Sequence, residues 1–380
     1  MKAVVGRHLR MERGRVHPAL ADEDGLAAPA GEDLDFRPHG LETRGANEHA
    51  AHGTVEARRL QLRLEGFRLA PIAVALHDGV EEGEAGLGGE DLAREEDGAG
   101  AGAEERAPAR MERPHLVQPG LAFVRVGEDP ASKVYVGRKE KTCGEMGIFS
   151  ETYILPEAST ESELLQLLER LNADARLHGI LVQAPLPRQI RQSVIYASVV
   201  PEKDVDGFNP VNVGKLMLGD PSGFQPCTPA GIRELLGRSR IRVEGAEVVV
   251  LGRGNIVGKP MAAMLCQKEK NANATVTLCH SNTRNIVEHC LRADILIAAI
   301  GVPEFVKASM VRPGAVVIDV GVNRVIDPAA KSGSRLVGDV DFAAVLPIAG
   351  KITPNPGGVG PMTIAMLMQN TVRAAEMSQD

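Results

Sequence analysis

Tyr135 and Lys139 are four residues apart on a predicted helix, so their side chains project from the same face. A lysine that is desolvated beside a phenol has a lowered pKa and can exchange protons near neutral pH. A solvated lysine on a helix surface has the same sequence pattern. The pair is therefore a candidate for acid/base chemistry, with an ordinary surface pair as the alternative.

Polar side chains follow the next apolar run of the chain. Gln183 stands at the carboxyl end of a predicted strand, which is where ligands of parallel α/β sheets bind. Further on, Asp204 and Asp206 could each cap a helix or accept hydrogen bonds from a cationic or amide-rich ring. These residues are candidate ligand contacts, with a turn amide and a helix-capping acid as the alternatives.

Three glycines after the apolar run Val248–Leu251 indicate a second kind of chemistry. Gly252 and Gly254 would let the backbone approach phosphate oxygens, and Gly258 would let the following helix pack closely on the strand. The spacing is Gly-x-Gly-x-x-x-Gly, one residue longer than the commonest dinucleotide fingerprint. It predicts a dinucleotide site near the middle of the chain, and an ordinary strand-to-helix turn is the alternative.

The next predicted strand, 274–281, favours NADP over NAD. It lacks the terminal acidic residue that usually receives the ribose hydroxyls of NAD. Instead it ends in Ser281, with Arg284 close behind and Arg253 inside the glycine turn. Hydroxyl and guanidinium groups suit an additional phosphate. Each arginine taken singly could equally be a surface charge.

Two α/β units are needed to position these residues, because apolar runs alternate with helical patterns from residue 116 onward. The first unit has predicted strands at 120–126, 152–155 and 179–183 and helices at 132–146 and 160–173. The second has predicted strands at 247–251, 276–278, 295–299 and 316–320. A bridging helix is predicted to begin with Thr228 as N-cap and Pro229 in its first turn. An amphipathic helix at 360–375 carries methionines that are expected to pack in a core.

Composition separates residues 1–115 from the rest of the 380-residue chain. This segment holds seven of the ten histidines but a single lysine, and it contains Gly/Ala/Glu runs such as 95–105. Little of it has helix or strand periodicity, apart from a hairpin-like or amphipathic pattern over 55–76. It is interpreted as disordered polypeptide, or as an extension from a misassigned start or a frameshift. An additional domain or tail is the alternative.

The whole composition is typical of a soluble protein that acts on small molecules. The hydrophobic content of 43% supports substantial cores, and no apolar run is long enough to span a bilayer. A net charge of -7 without a basic block excludes an electrostatic footprint for nucleic acid or an anionic membrane. Five scattered cysteines predict buried free thiols and no metal site. The N-terminus lacks the apolar core of a signal peptide, so a cytoplasmic location is expected.

Seven motifs occur in a fixed order over residues 118–376. They are Val126-Gly-Glu-Asp-Pro-Ala-Ser132, Tyr135-x-x-x-Lys139, Gly179-Ile-Leu-Val-Gln-Ala-Pro-Leu-Pro187, Lys203-Asp-Val-Asp-Gly207, Pro226-Cys-Thr-Pro229, Gly252-Arg-Gly-Asn-Ile-Val-Gly-Lys-Pro260 and Pro354-Asn-Pro-Gly-Gly-Val-Gly-Pro-Met-Thr363. Together they resemble the bifunctional methylenetetrahydrofolate dehydrogenase/methenyltetrahydrofolate cyclohydrolase family.

The resemblance implies an α/β fold of two domains. A folate-binding catalytic domain would cover 116–232 and be completed by 355–380, to which the C-terminal helix returns. A Rossmann-like NADP-binding domain would cover 233–354. The implied activity is NADP-dependent oxidation of 5,10-methylenetetrahydrofolate to 5,10-methenyltetrahydrofolate, followed by hydrolysis to 10-formyltetrahydrofolate in the same pocket. This chemistry belongs to one-carbon metabolism and supplies purine biosynthesis, and the family's members are homodimers.

The resemblance also implies a role for each motif residue. Lys139 would be the acid/base and polarising group of the hydrolysis, while Tyr135 and Gln183 would orient it and tune its protonation. Asp206 would hold the pterin ring, since a carboxylate can accept two N–H bonds from an amidine-like edge. Further folate and cofactor contacts come from turn residues. Those toward folate are Pro356, Gly357 and Gly358, and those toward NADP are Gly252, Arg253, Gly254, Gly258, Ser281 and Val322.

The chain departs from the family pattern in two places. The family has a helix of roughly thirty residues before the strand 120–126, and its periodicity is not found in residues 80–118. Family members commonly have Ser where this chain has Gly254, so one phosphate hydrogen bond is lost. A missing helix leaves two alternatives to the bifunctional enzyme. One is a monofunctional dehydrogenase with a poorly placed Lys139, and the other is a catalytically impaired folate- and NADP-binding protein.

Overall fold

Strands and helices alternate along the chain in the order that the apolar runs predict. The computed structural model describes residues 117–328, 330 and 333–379, and the structural statements below refer to these residues. The predictions for 1–115, including the pattern over 55–76, lie outside the described residues. So does nearly all of the segment 80–118, where the family's helix would lie.

The first sheet consists of three parallel strands in the order β2-β1-β3. They are β1 (Gly120–Val126), β2 (Phe149–Leu155) and β3 (Gly179–Val182). All seven residues of β1 are buried, as expected for a central strand that is covered on both faces. Helix α1 (Pro130–Met146) connects β1 to β2, and α2 (Glu161–Ala173) connects β2 to β3.

Helix α1 begins where its local sequence provides a cap. The Asp129 carboxylate accepts a hydrogen bond of 2.7 Å from the backbone N–H of Ser132, and Pro130 occupies the first turn. The helix ends at Gly147, whose φ of 76° is left-handed. Because the cap comes directly after β1, Tyr135 and Lys139 fall on the second and third turns of α1.

The second sheet consists of five parallel strands in the order β10-β7-β6-β4-β5. In chain order, the remaining strands are β4 (Glu247–Leu251), β5 (Thr275–Cys279), β6 (Ile295–Ala298), β7 (Val316–Asp319), β8 (Asn323–Ile326), β9 (Ser334–Val337) and β10 (Lys351–Ile352). Strands β8 and β9 form a separate antiparallel pair. Strand β4 lies between β5 and β6, so the glycine turn after Leu251 is one strand in from the β5 end of the sheet.

Helices connect the strands and the two sheets. They are α3 (Gln192–Ser198), α4 (Pro210–Leu218), α5 (Cys227–Arg238), α6 (Gly258–Leu265), α7 (Ile286–Arg292), α8 (Phe342–Val345) and α9 (Val359–Met377), with a 3₁₀ turn at Ala308–Met310. None of the described helices is both long enough and apolar enough to cross a lipid bilayer.

The C-terminal helix α9 packs against α5, α1, β1 and β3, and so returns to the first sheet. Leu367, Met368 and Val372 share a core with Leu121 and Phe123 of β1. Met362, at the other end of the helix, packs in the core under the second sheet. Both methionines are buried, as predicted for the stripe on this helix.

Three sequence predictions are corrected in detail. Helix α5 begins at Cys227, and Thr228 is not its N-cap, because its hydroxyl lies 3.0 Å from that of Thr363 on α9 instead. Strand β2 begins at Phe149 rather than at residue 152, since it pairs with β1 along its whole length. Four of the cysteines are buried free thiols, but Cys266, where α6 ends, is exposed.

Candidate active site

Lys139 is a buried lysine whose ammonium is held by a single amide. Its Nζ donates a hydrogen bond of 3.1 Å to the Oε1 of Gln183, and the residue is 4% exposed. The Nε2 of Gln183 donates to the carbonyl of Ala184 at 2.7 Å, which leaves Oε1 facing the lysine. Helix α1 therefore brings Lys139 to the carboxyl end of β3, where the sequence placed Gln183.

Tyr135 covers the same ammonium from one turn away. The Nζ of Lys139 lies 5.0 Å from the centroid of the Tyr135 ring, within the range of a cation–π contact. The Tyr135 hydroxyl donates a hydrogen bond of 3.4 Å to the carbonyl of Gly360 on α9. Burial raises the pKa of the Tyr135 phenol, so it remains protonated at neutral pH. The predicted helical pair is thus a pair in a pocket rather than on the surface.

Asp206 is the acid of this pocket. Burial raises its pKa, while the Lys139 ammonium and a hydrogen bond with Cys227 act in the opposite direction. Burial likewise lowers the pKa of Lys139, and the Asp206 carboxylate opposes that shift. Desolvation therefore favours the uncharged forms of both groups, and their mutual attraction favours the charged forms.

The neighbouring Asp204 has a different role. It is buried and accepts backbone N–H groups from Phe208 at 3.1 Å and Asn209 at 2.7 Å. The Nδ2 of Asn212 is a third donor at 2.8 Å. Of the two acids that the sequence left open, Asp204 organises the turn before α4. Asp206 interacts with Lys139 and Cys227 instead.

The loop before α9 connects this pocket to the second domain. Pro356 and Gly357 are exposed in it, and Gly358 is buried with its backbone close to the carbonyl of Pro354. The Asn355 amide donates to the carbonyl of Gly321, which adjoins the predicted cofactor contact Val322. Tyr135 bonds to Gly360 at the other end of the loop. The predicted folate and cofactor residues are therefore joined by a single short segment.

The glycine turn after β4 is built for close approach of backbone. A Cβ at Gly252 would lie 2.1 Å from the carbonyl oxygen of Ala299, and one at Gly258 would lie 1.9 Å from that of Gly252. Helix α6 begins at Gly258 without a side-chain cap, and the Lys259 N–H donates to the carbonyl of Gly254 at 3.1 Å, which closes the turn. Arg253 and Gly254 are exposed in this turn. These residues fit a dinucleotide pyrophosphate, since the glycines let an anion approach the backbone at the start of a helix.

The other predicted cofactor residues lie at the same edge of the second sheet. Ser281 and Arg284 are exposed in the turn after β5, and Val322 follows β7 with 70% of its surface exposed. Strand β5 ends at Cys279, two residues before Ser281, which corrects the predicted strand end. The reason is a local turn in which the His280 N–H donates to the Thr283 hydroxyl at 2.8 Å.

Two side chains to which the sequence patterns assign no role, Cys227 and Asn370, support the backbone beside Asp206. The Cys227 thiol donates to the carbonyl of Val205 at 3.3 Å, and the Nδ2 of Asn370 donates to the same carbonyl at 2.8 Å. The Asn370 amide also donates to the carbonyl of Gln225 at 3.1 Å. A lone asparagine on the largely apolar C-terminal helix was the signal that could have identified it.

Comparisons with known proteins agree with this arrangement. A family model described as "Tetrahydrofolate dehydrogenase/cyclohydrolase, catalytic domain" matches residues 97–206. A second, "Tetrahydrofolate dehydrogenase/cyclohydrolase, NAD(P)-binding domain", matches residues 226–379. The chain belongs to the tetrahydrofolate dehydrogenase/cyclohydrolase family. Its fold is accordingly α/β, with a catalytic domain, a Rossmann-like NAD(P)-binding domain and a C-terminal helix that returns to the first.

Individual members of the family are similar over most of their length. The "Bifunctional protein FolD" of Acetivibrio thermocellus is 55% identical over 261 residues, which cover 69% of this chain and 88% of that protein. A FolD structure from Campylobacter jejuni superimposes with a TM-score of 0.64 at 48% identity, covering 69% of this chain and 89% of that one. A FolD structure from Trypanosoma brucei, complexed with NADP and an inhibitor, gives 0.65 at 40% identity, covering 68% and 87%.

Proposed function

We propose that this chain is a bifunctional enzyme with NADP as its cofactor. It oxidises 5,10-methylenetetrahydrofolate to 5,10-methenyltetrahydrofolate and hydrolyses the product to 10-formyltetrahydrofolate. Membership of the family supports both activities. The observation that carries the proposal is the buried Lys139, held between Gln183 and Tyr135 beside Asp206. The alternative of a monofunctional dehydrogenase required a poorly placed Lys139, and these contacts do not favour it.

Asp206 is proposed to hold the folate by its pterin ring. Its carboxylate is not used by backbone donors in the way that the Asp204 carboxylate is. It can therefore accept two N–H bonds from the ring's amidine-like edge. Pro356 and Gly357 then form an exposed loop along which the substrate can lie, next to Tyr135.

In the oxidation, this chain's residues act by positioning. NADP, when bound, accepts the hydride that leaves the one-carbon bridge of the substrate. Loss of hydride from a carbon between two nitrogens already gives a stabilised cation, so no strong general base is needed. Asp206 fixes the pterin, and the glycine turn at Gly252 and Gly258 fixes the pyrophosphate. Holding two reactants in register is worth several orders of magnitude in rate.

In the hydrolysis, Lys139 is proposed to manage the proton. Water adds to the methenyl carbon, a proton leaves that water, and the bond from the carbon to one of its two ring-closing nitrogens breaks. The lowered pKa of Lys139 lets its amine accept the proton from water and return it to the departing nitrogen. Gln183 holds Nζ in place through Oε1, and Tyr135 stabilises its charged form through the ring face.

The test uses both activities of the purified chain. Methenyltetrahydrofolate should form from methylenetetrahydrofolate with NADP, and methenyltetrahydrofolate supplied alone should decay faster than in buffer. Lys139→Met should slow that decay by about 10²- to 10⁴-fold. Lys141→Met is the matched control, because Lys141 is on the same helix with 78% of its side chain exposed. Absence of both activities from the folded chain would contradict the proposed function, and unchanged decay in Lys139→Met would contradict the lysine's role.

We also propose that the protein works as a homodimer in the cytoplasm. The support is the resemblance to the family's motifs. Light scattering on a size-exclusion column should give twice the mass of one chain. A single-chain mass at micromolar concentration would contradict the dimer.

A further inference from the structure

Two buried carboxylates lie side by side in the second domain, outside the residues assigned to either reaction. Asp319 ends β7 and is 2% exposed, and Asp339 follows β9 and is 0% exposed. Twenty residues separate them in sequence, yet the backbone N–H of Asp339 donates to the Oδ1 of Asp319 at 2.9 Å. Buried acids of this kind are uncommon unless their oxygens are fully used.

Asp339 connects two loops at the carboxyl edge of the sheet. Its Oδ2 accepts the backbone N–H groups of Ile300 at 2.7 Å and Gly301 at 2.9 Å, in the loop after β6. Its Oδ1 accepts the side-chain amide of Asn323 at 2.9 Å, just beyond the exposed Val322. One carboxylate therefore sets the spacing between the loop after β6 and the loop after β7.

Asp319 supports the same arrangement of the two loops through further hydrogen bonds. Its Oδ1 accepts the backbone N–H of Gly321 at 3.1 Å, and its Oδ2 accepts that of Val340 at 3.2 Å. Its own N–H donates to the hydroxyl of Thr353 at 2.8 Å, at the start of the loop before α9. The pair thus links the loops after β6 and β7 to the segment that reaches the folate pocket.

Two glycines make this arrangement possible. A Cβ at Gly338 would lie 1.6 Å from the Oδ2 of Asp319. A Cβ at Gly321 would lie 2.3 Å from the Oδ1 of Asp339. Each acid therefore occupies the space that a side chain would need in the loop of the other. This reciprocal packing admits only glycine and leaves both carboxylates little freedom to move.

The position of the pair in the sheet indicates which half of the cofactor it faces. The pyrophosphate turn follows β4, and the phosphate-binding candidates Ser281 and Arg284 follow β5 on one side. A dinucleotide that crosses the middle of the edge must place its other half over β6 and β7. That is the side on which Asn355 joins Gly321 to the folate loop.

We propose that Asp319 and Asp339 are positioning residues that hold the loops after β6 and β7 in the spacing required by the nicotinamide half of NADP. The inference rests on the proposed function for the identity of the cofactor. Both acids act through the loops and not through direct contact with substrate. Their loss should therefore weaken cofactor binding and oxidation, and leave the hydrolysis, which needs no cofactor, unchanged.

Asp339→Asn is the discriminating variant, because it keeps the shape of the side chain but replaces one acceptor by a donor. Either Asn323 or the N–H groups of Ile300 and Gly301 then face an NH₂ group, and a buried donor loses its partner. We expect the dissociation constant of NADPH, measured by calorimetry or by its own fluorescence, to rise about 10-fold or more. The decay of methenyltetrahydrofolate without NADP should stay within about twofold of wild type.

Two further variants keep the test decisive. Glu304→Gln is the matched acid-to-amide control, since Glu304 makes a surface ion pair of 3.2 Å with Arg335 and should bind NADPH as wild type does. Asn323→Ala removes one donor while keeping both acids, and should raise the NADPH dissociation constant by about 3-fold even if Asp339→Asn does not fold.

The outcomes separate the inference from the proposed function. The positioning role is overturned if folded Asp339→Asn binds NADPH with unchanged affinity. If Asp339→Asn does not fold, an unchanged NADPH affinity in Asn323→Ala overturns it. An equal loss of NADPH binding and of hydrolysis overturns it too, because the acids would then support the whole fold. A wild type that binds NADPH but has neither folate activity overturns the proposed function alone, since the NADPH titration still tests the acids.

Discussion

The Nζ of Lys139 and the Oε1 of Gln183 are 3.1 Å apart, although 44 residues separate them in sequence. One is on a helix and the other is at the end of the strand beside β1. Because the other half of the Gln183 amide is bonded to Ala184, the lysine has a fixed acceptor even though it is buried. Replacing Gln183 therefore changes the group that faces the Lys139 ammonium without removing the lysine.

Gln183→Glu should shift the pH dependence of the hydrolysis upward. A carboxylate in the place of the amide favours the ammonium form and opposes the effect of burial, which lowers the pKa of Lys139. The pH at which the deprotonated amine becomes available should rise by about 1 to 3 pH units. The measurement is the rate of methenyltetrahydrofolate decay from pH 6 to 10, corrected for buffer hydrolysis. Gln166→Glu adds the same charge on the exposed face of α2, and a shift of equal size there would contradict the explanation.

Asp206→Asn should weaken folate binding while the chain remains folded. Hydrogen bonds to a charged group are worth about 1.5 to 3 kcal/mol, so the KM for methylenetetrahydrofolate should rise by about 10- to 150-fold. The dissociation constant of NADPH should stay unchanged, because Asp206 lies in the first domain. A KM within threefold of wild type would exclude Asp206 as the pterin contact.

Asp204→Asn should affect stability rather than substrate affinity. Three donors meet the Asp204 carboxylate, and an amide in its place turns an NH₂ group toward at least one of them. The free energy of unfolding should fall by about 1 to 3 kcal/mol. Urea titrations of this variant and of Asp206→Asn, followed by circular dichroism, provide the comparison. An equally large loss in Asp206→Asn would mean that the two acids are not functionally distinct.

The glycine turn should respond in opposite ways to two substitutions. Nothing lies within 4 Å of a Cβ at Gly254, so Gly254→Ser fits and adds a hydroxyl donor for a phosphate oxygen. NADPH should bind about 2- to 10-fold more tightly. In Gly258→Ala the new methyl would collide with the carbonyl of Gly252, so NADPH binding should be lost. The measurement is a calorimetric titration of both variants with NADPH. Tight binding by Gly258→Ala would contradict the close packing of α6 on the turn.

His178 should make the stability of the chain depend on pH. It is buried, its Nδ1 accepts the backbone N–H of Gly120 at 3.0 Å, and burial together with Lys203 lowers its pKa. Below about pH 6.5 the unfolded chain binds a proton that the folded chain does not, so the free energy of unfolding falls as the pH falls. The limiting slope is about 1.4 kcal/mol per pH unit.

Urea unfolding at pH 7.5 and 5.5 checks this expectation. Wild type should lose more stability between the two pH values than His178→Gln does, since glutamine does not titrate. The comparison is made within each protein, so any loss of packing in the variant cancels. Equal losses in the two proteins would show that His178 does not carry the effect.

The local patterns of the sequence were sufficient for much of the fold. The apolar runs of β1 and β4 are bounded by turn residues, so both strands have the limits predicted for them. The start of α1 follows from the Asp129 cap, and the spacing of four residues then places Tyr135 and Lys139 on one face. These features depend only on neighbours along the chain, which is why composition and periodicity indicate them.

By itself, then, the sequence determined the alternation of strands and helices, the motifs and the family that they resemble. Only the packing of the chain shows that the Asp204 carboxylate is used by the turn before α4, and that the Thr228 hydroxyl meets Thr363 instead of capping its helix. It also brought Asp319 against Asp339, for which no local pattern exists. The physical reason is that a polar side chain bonds to whichever donors and acceptors the packing brings within about 3 Å, and strand order and helix contacts determine those partners.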